Sequence, residues 1–181
     1  MSAREAVAAR LAQVLADPAV TDAHGVLTAD VPRERWVAAV TAVRDDEVLD
    51  GTFFDHLVVV DQRPGGFDVL VRLWSVEGRR GVHLRTTCPR EDPTVPSLTG
   101  VFAGASWHER HAAEMFGIAF EGASDARPLL LAAGSAPHPL RKEHDLPARV
   151  EEQWPGAEDP AYHGEGGRPP RRRLRPPGAP A

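Results

Sequence analysis

His108, Glu109, His111 and Glu114 are a close set of potential metal ligands and proton-transfer groups that includes two histidines. A zinc-protease site sets two histidines four apart on one helical face, as His-Glu-x-x-His. The spacing here is His-Glu-x-His, one residue short, so the four are read as polar groups meeting a partner or solvent. Cys88, the only cysteine, stands between Thr87 and Pro89 at the end of an expected strand, where a buried structural thiol is expected rather than a nucleophile. One thiol also excludes an intrachain disulfide and a four-thiolate zinc or iron-sulfur site built from this chain alone. Gly164-Glu165-Gly166-Gly167 runs into Pro169-Pro170, which cannot set a helix N-terminus under a phosphate, and no P-loop is present. Residues 168–181 carry five arginines and no acid, so a net charge of −5 divides into an acidic body of −10 and a basic tail. Such a tail has the charge to bind nucleic-acid phosphates, but beside an acidic body it is expected on an acidic protein surface.

The element that positions the His/Glu set is expected to be one short helix within Ser106 to Gly122. Ser106 and Glu109 have the spacing of a capping box, and Gly117 can take the left-handed conformation that ends a helix, with Ile118 closing over the last turn. At 100° per residue, Trp107, Arg110, His111, Glu114 and Met115 fall on one half, and Glu109, Ala112, Ala113 and Phe116 on the other. Neither half is a clean core face, which predicts a helix sandwiched between its own domain and a partner.

These residues also carry a resemblance. Glu109-Arg110, Glu114-Met115-Phe116-Gly117-Ile118 and Phe120-Glu121-Gly122 resemble the signature helix of the C subunit of proton-pumping NADH-quinone oxidoreductase, respiratory complex I. His138-Pro139-Leu140-Arg141-Lys142-Glu143 resembles that family's downstream motif at the expected distance, and the likeness spans roughly Val31 to Leu146. Four positions depart from the pattern. The family usually has an acid where His111 stands, Asp where Glu114 stands, and His-Pro where this chain has Ala123-Ser124, so the first and last of these changes alter charge on the expected docking face.

The resemblance implies a bacterial, cofactor-free subunit of the peripheral arm, with no catalytic, cofactor-binding or metal-binding residues of its own. NADH, flavin, iron-sulfur clusters and quinone belong to the assembled translocase, which passes electrons from NADH to quinone and pumps protons. The implied partners are the quinone-site subunit and the subunit holding the terminal iron-sulfur cluster, on the cytoplasmic side of the cell membrane, with no nucleic acid and no span of its own. The expected interface comprises Trp107, Glu109, Arg110, His111, Glu114, Met115, Phe116, Gly117, Phe120 and Gly122, then Pro139, Leu140, Arg141 and Lys142. Arg141 is expected to offer its guanidinium fork to a partner carboxylate. Arg110 and Glu114, four apart in the weaker order, are likewise expected to face a partner. The alternatives are the equivalent subunit of a membrane-bound hydrogenase, a nucleic-acid-binding protein using the basic tail, and a hydrolase built around the histidines.

The rest of the chain predicts an α+β domain, mostly antiparallel sheet with packed helices. A composition 42% hydrophobic and 26% charged suits a globular protein, and neither a signal peptide nor a run of roughly 20 apolar residues is found. Residues 1–20 are read as an N-terminal helix from Arg4 to Leu15, with the amphipathic character of a docking arm; residues 21–146 as the domain; and residues 147–181 as an extended tail, because seven prolines and five glycines in residues 155–181 cannot supply a packed core. Within the domain, His24 to Asp30 reads as a strand and Pro32 as the first position of a helix bearing Trp36, Val37, Val40 and Val43. Thr52–Asp61, Phe67–Val76 and Gly81–Cys88 read as an antiparallel meander. Pro89 to Pro96 reads as a loop, Ser97 to Phe102 as a helical turn, and Leu129-Leu130-Leu131 as a buried strand or anchor.

Overall fold

The computed structural model describes residues 2–144, apart from 17, 133, 134, 136 and 137. The chain divides into two units, Met1–Asp145 and Leu146–Ala181; the second, with the whole of the expected tail (147–181), lies outside the described residues. The first unit is α+β. Helix α1 (Ala3–Val14) leads into strands β1 (Val20–Ala23) and β2 (Val26–Asp30), then helix α2 (Trp36–Asp45), strands β3 (Phe53–Asp61), β4 (Phe67–Ser75), β5 (Arg80–Cys88) and β6 (Thr94–Pro96), helix α3 (Ala105–Phe116) and strand β7 (Ala119–Glu121).

The main sheet has the order β1-β2-β5-β4-β3. Strands β3, β4 and β5 form the expected antiparallel meander, and β2 joins it in parallel on β5, with Leu27 opposite Val82. Alternation along β4 decides the layers: Phe67, Val69, Val71 and Leu73 are buried in one continuous core with Trp36, Val40 and Val43 of α2, while Leu70, Arg72 and Trp74 point to the other face and stay half-exposed.

Four local expectations change. Strand β1 is polar and mostly exposed, so periodicity alone did not reveal it; it exists because the turn at His24-Gly25 folds it back on β2. Pro32 precedes a 3-10 turn, Arg33–Arg35, and α2 itself starts at Trp36. The Pro89–Pro96 segment contains β6, which pairs in parallel with β7. Helix α1 is no free arm: Val7 and Leu11 are buried in the core, and Arg10 grips Asp46 at the end of α2, Nη2 to Oδ2 at 2.6 Å.

Candidate interface around helix α3

Helix α3 has a core face after all. Ala105, Ala112, Met115 and Phe116 are buried, and the Phe116 ring meets Phe67 edge-on with centroids 6.3 Å apart. Glu109 shares that face and is only 2% exposed. It does not close a capping box, since α3 begins at Ala105 and has no side-chain cap. Its carboxylate instead accepts the Leu98 amide at 2.6 Å and the Ser97 hydroxyl at 2.7 Å. Burial pushes its pKa above the ordinary glutamate range, although those two donors pull the other way. The box the sequence does realise is at the other end of the chain, between Ser2 and Glu5 at the start of α1.

His108 turns towards β3, its Nδ1 3.2 Å from the Leu57 carbonyl oxygen and its ring against Phe54. The four candidate ligands therefore separate: Glu109 is inside, His108 is on β3, and His111 and Glu114 look outward. Among the described residues no group of three or more His, Cys, Asp and Glu could hold a metal ion. Cys88 is buried, and burial raises the pKa of its thiol.

On the outer side, Arg110 and Glu114 do not bond each other. Arg110 donates to the Arg127 and Pro128 carbonyls, both at 2.8 Å, and lies 3.3 Å from Asp125. Glu114 accepts the amides of Leu129, Leu130 and Leu131 at 3.2, 2.8 and 2.9 Å. Burial raises the Glu114 pKa, but the three amides outweigh it and the net shift is downward. The Arg127 side chain and amide, with Arg110, hold the Asp125 carboxyl far below its usual range. The two residues therefore shape the loop over residues 125–131. Leu129-Leu130-Leu131 is accordingly no strand, but an irregular segment whose amides are collected by one carboxylate.

At the C-terminal end Gly117 has φ +73° and returns its amide to the Ala113 carbonyl at 2.9 Å, as a left-handed helix cap should. The last three helical carbonyls are then satisfied from the downstream motif. His138 Nδ1 donates to Glu114 at 3.2 Å, the Leu140 amide to Met115 at 3.2 Å, and Arg141 Nε to Phe116 at 2.7 Å. A Cβ on Gly117 would lie 2.6 Å from both Arg141 Nη2 and His138 Nε2, so glycine is required for space as well as for φ. The motif is moored in turn on the end of β3. Asp61, buried, accepts the Lys142 amide at 2.9 Å and the Arg63 amide at 2.8 Å and pairs with Arg90, which also reaches Glu143 at 2.8 Å. Burial pushes the Asp61 pKa up, and these donors more than offset it, so it settles below the aspartate range.

Arg141 is therefore committed to its own chain, contrary to the expectation that its fork is held out to a partner. Asp61, Arg90, Ser97 and Arg127 are positioning residues that sequence reasoning missed; an acid at a strand end and an isolated arginine carry no pattern that marks them. Gly122 has φ +81° and follows β7, in which Phe120 is half-buried opposite Val95. Left outward are Trp107, 64% exposed, with Leu130 at 65% and Leu140 at 50%. Trp107 is on α3, and the backbones of Leu130 and Leu140 are bonded to it. The Arg110 guanidinium lies 5.6 Å from the centroid of the Trp107 ring and bonds the Pro128 carbonyl, the Leu130 amide is held by Glu114, and the Leu140 amide by the carbonyl of Met115.

Residues 29–150 match the family model described as respiratory-chain NADH dehydrogenase, 30 kDa subunit. The chain belongs to this family. It is 38% identical over 133 residues to the first C subunit of NADH-quinone oxidoreductase from Rhizobium meliloti, covering 72% of this chain and 66% of that protein. The corresponding NADH-quinone oxidoreductase protein of Bordetella avium is 34% identical over 158 residues, covering 76% and 75%. The chain thus spans about two thirds to three quarters of these relatives. Among solved structures, the trypsin-resistant fragment of Nqo5 superposes with a TM-score of 0.58 at 27% identity, covering 67% of this chain and 98% of the fragment. No helix among the described residues is long and apolar enough to cross a membrane.

Proposed function

We propose that this chain serves as the cofactor-free C subunit of an NADH-quinone oxidoreductase, a peripheral piece of a complex that passes electrons from NADH through flavin and iron-sulfur clusters to quinone and pumps protons. The observation that carries the reading is the outer side of α3. Arg110, Glu114 and Arg141 are engaged in fixing the shape of the protein's own backbone, and three large apolar side chains, Trp107, Leu130 and Leu140, on α3 or on segments bonded to it, are left exposed. Large apolar groups on a polar rim, held by a rigid frame, suit a partner subunit. The names of the relatives support the identity of the assembly, and the partners are read as the quinone-site subunit and the subunit with the terminal iron-sulfur cluster, on the cytoplasmic side of the membrane. His111, Pro139 and the exposed Lys142 complete the docking face we read here, while Gly117 sets the direction in which the chain leaves α3.

The test is the triple variant Trp107→Ala, Leu130→Ser, Leu140→Ser. Exposed positions contribute little to folding, within about 0.5 kcal/mol each, so the isolated chain should melt close to the wild type. Its recovery with the membrane-bound complex, and NADH:quinone activity in those membranes, should fall at least tenfold. Full assembly of a folded triple variant would exclude the outer side of α3 as the docking face.

A further inference from the structure

A second feature lies away from α3. The start of α1, the β1–β2 turn and the β4–β5 turn enclose a cleft of about 440 Å³. Arg4, Arg72, Arg79 and Arg80 line it, and no acid does. That is a concentration of cations in a body whose charge outside the tail is −10. Among the described residues two of them have an acidic partner: Asp22 is 2.8 Å from Arg4 Nε, and Asp55 is 3.4 Å from Arg72 Nε. Arg79 is exposed on the turn and has no acidic partner among the described residues. Arg80 gives one Nη to the Val48 carbonyl and lines the cleft with the rest of its half-exposed side chain.

The backbone is thin where these groups sit. A Cβ on Gly78 would lie 2.8 Å from Arg80 Cζ, one on Gly81 2.7 Å from the Trp74 ring and 3.2 Å from Arg72 Nε, and one on Gly25 3.4 Å from Arg4. Arg72 in turn rests 5.1 Å from the centroid of the Trp74 ring. Arg4, Arg72 and Arg80 are thus each packed against a wall that has no side chain in the way, and three elements distant in sequence contribute to one concave cationic lining. Guanidinium forks match phosphate oxygens two at a time.

We propose that this cleft binds a phosphate-bearing anion through Arg72, Arg79 and Arg80. The shared chemistry fits a free phosphoanion or the headgroup of an anionic lipid. Calorimetric titration of the full-length chain with pyrophosphate at low salt should show one saturable site, weakened by added salt. Arg79→Glu, at an exposed turn position, should weaken it at least tenfold, and Arg72→Gln by several-fold, whereas Lys142→Glu, remote from the cleft, should leave it unchanged. ADP binding as well as pyrophosphate would identify a soluble ligand; flotation with phosphatidate vesicles but not phosphatidylcholine ones, lost in Arg79→Glu, would identify a lipid. The proposal is overturned by non-saturable binding, by equal losses in Lys142→Glu and Arg79→Glu, or by a polyglutamate peptide binding as tightly as pyrophosphate.

Discussion

At its N-terminal end α3 carries no side-chain cap and instead buries a carboxylate, Glu109, against a turn 11 to 12 residues upstream; at its C-terminal end every free carbonyl of the last three residues is met by a segment arriving from more than twenty residues downstream. The first end is closed locally, at the cost of a desolvated charge. The second is closed from a distance, with a mooring on β3 through Asp61. The difference teaches that the two blocks carrying the family resemblance are one structural device: the downstream motif is the cap of the signature helix.

The strongest way to break this comparison is at Gly117. Gly117→Ala forces a left-handed alanine, which costs roughly 1–2 kcal/mol, and drives its methyl into Arg141 and His138. The expected loss is about 3 kcal/mol in denaturant unfolding. In an Arg141→Ala background, where part of the obstruction is gone, the same substitution should cost closer to the conformational share alone. Equal costs in both backgrounds would mean that the downstream motif does not press on the helix end.

Next in size is Glu109→Ala, which leaves the buried Leu98 amide without an acceptor. The cost should be about 1–3 kcal/mol. Glu109→Gln keeps an acceptor, removes the buried charge, and should cost less than half as much. A glutamine variant as unstable as the alanine one would show that the charge itself is required.

The smallest effect is in pH. The pKa of Asp61 is depressed in the folded state, so the stability it contributes is present above its unfolded value of about 3.9 and is lost as pH falls through the folded value. That of Glu109 is raised, so its contribution is present below its unfolded value of about 4.3 and is lost as pH rises through the folded one. Acidification from neutral towards pH 4 and below should therefore loosen the C-terminal clasp while strengthening the N-terminal end. Hydrogen exchange corrected for intrinsic rates should show the Lys142 amide losing protection before the Leu98 amide. The reverse order would contradict the assignment of the two carboxylates.

The meander, α2 and the glycine stop of α3 were legible because each has a local signature: period-two alternation in β4, helical spacing of Trp36, Val40 and Val43, and a glycine after a charged helical run. The α+β class followed from these. What the sequence hid was direction. Glu109 fits a capping box as well as a buried bond to Ser97, and only the packing of Phe116 on Phe67 decides which way the helix is rolled. Arg110 and Glu114 look like a helical ion pair or a docking pair, and their true partners are backbone groups of an irregular loop, which no side-chain pattern announces. Strand β1 was invisible because an exposed edge strand needs no apolar face.

The parallel seam between β2 and β5 sets an order of assembly. Strands β3, β4 and β5 are joined by short turns and can pair as they emerge, whereas β2 has to wait until α2 and the whole meander have been made before Leu27 finds Val82. Closing so long a stretch costs chain entropy before any contact offsets it. By the same reasoning the β1–β2 hairpin, joined by its short turn, can form early but docks on the meander late, and the cationic cleft, which draws on α1, the β1–β2 turn and the β4–β5 turn together, comes into being only with that docking.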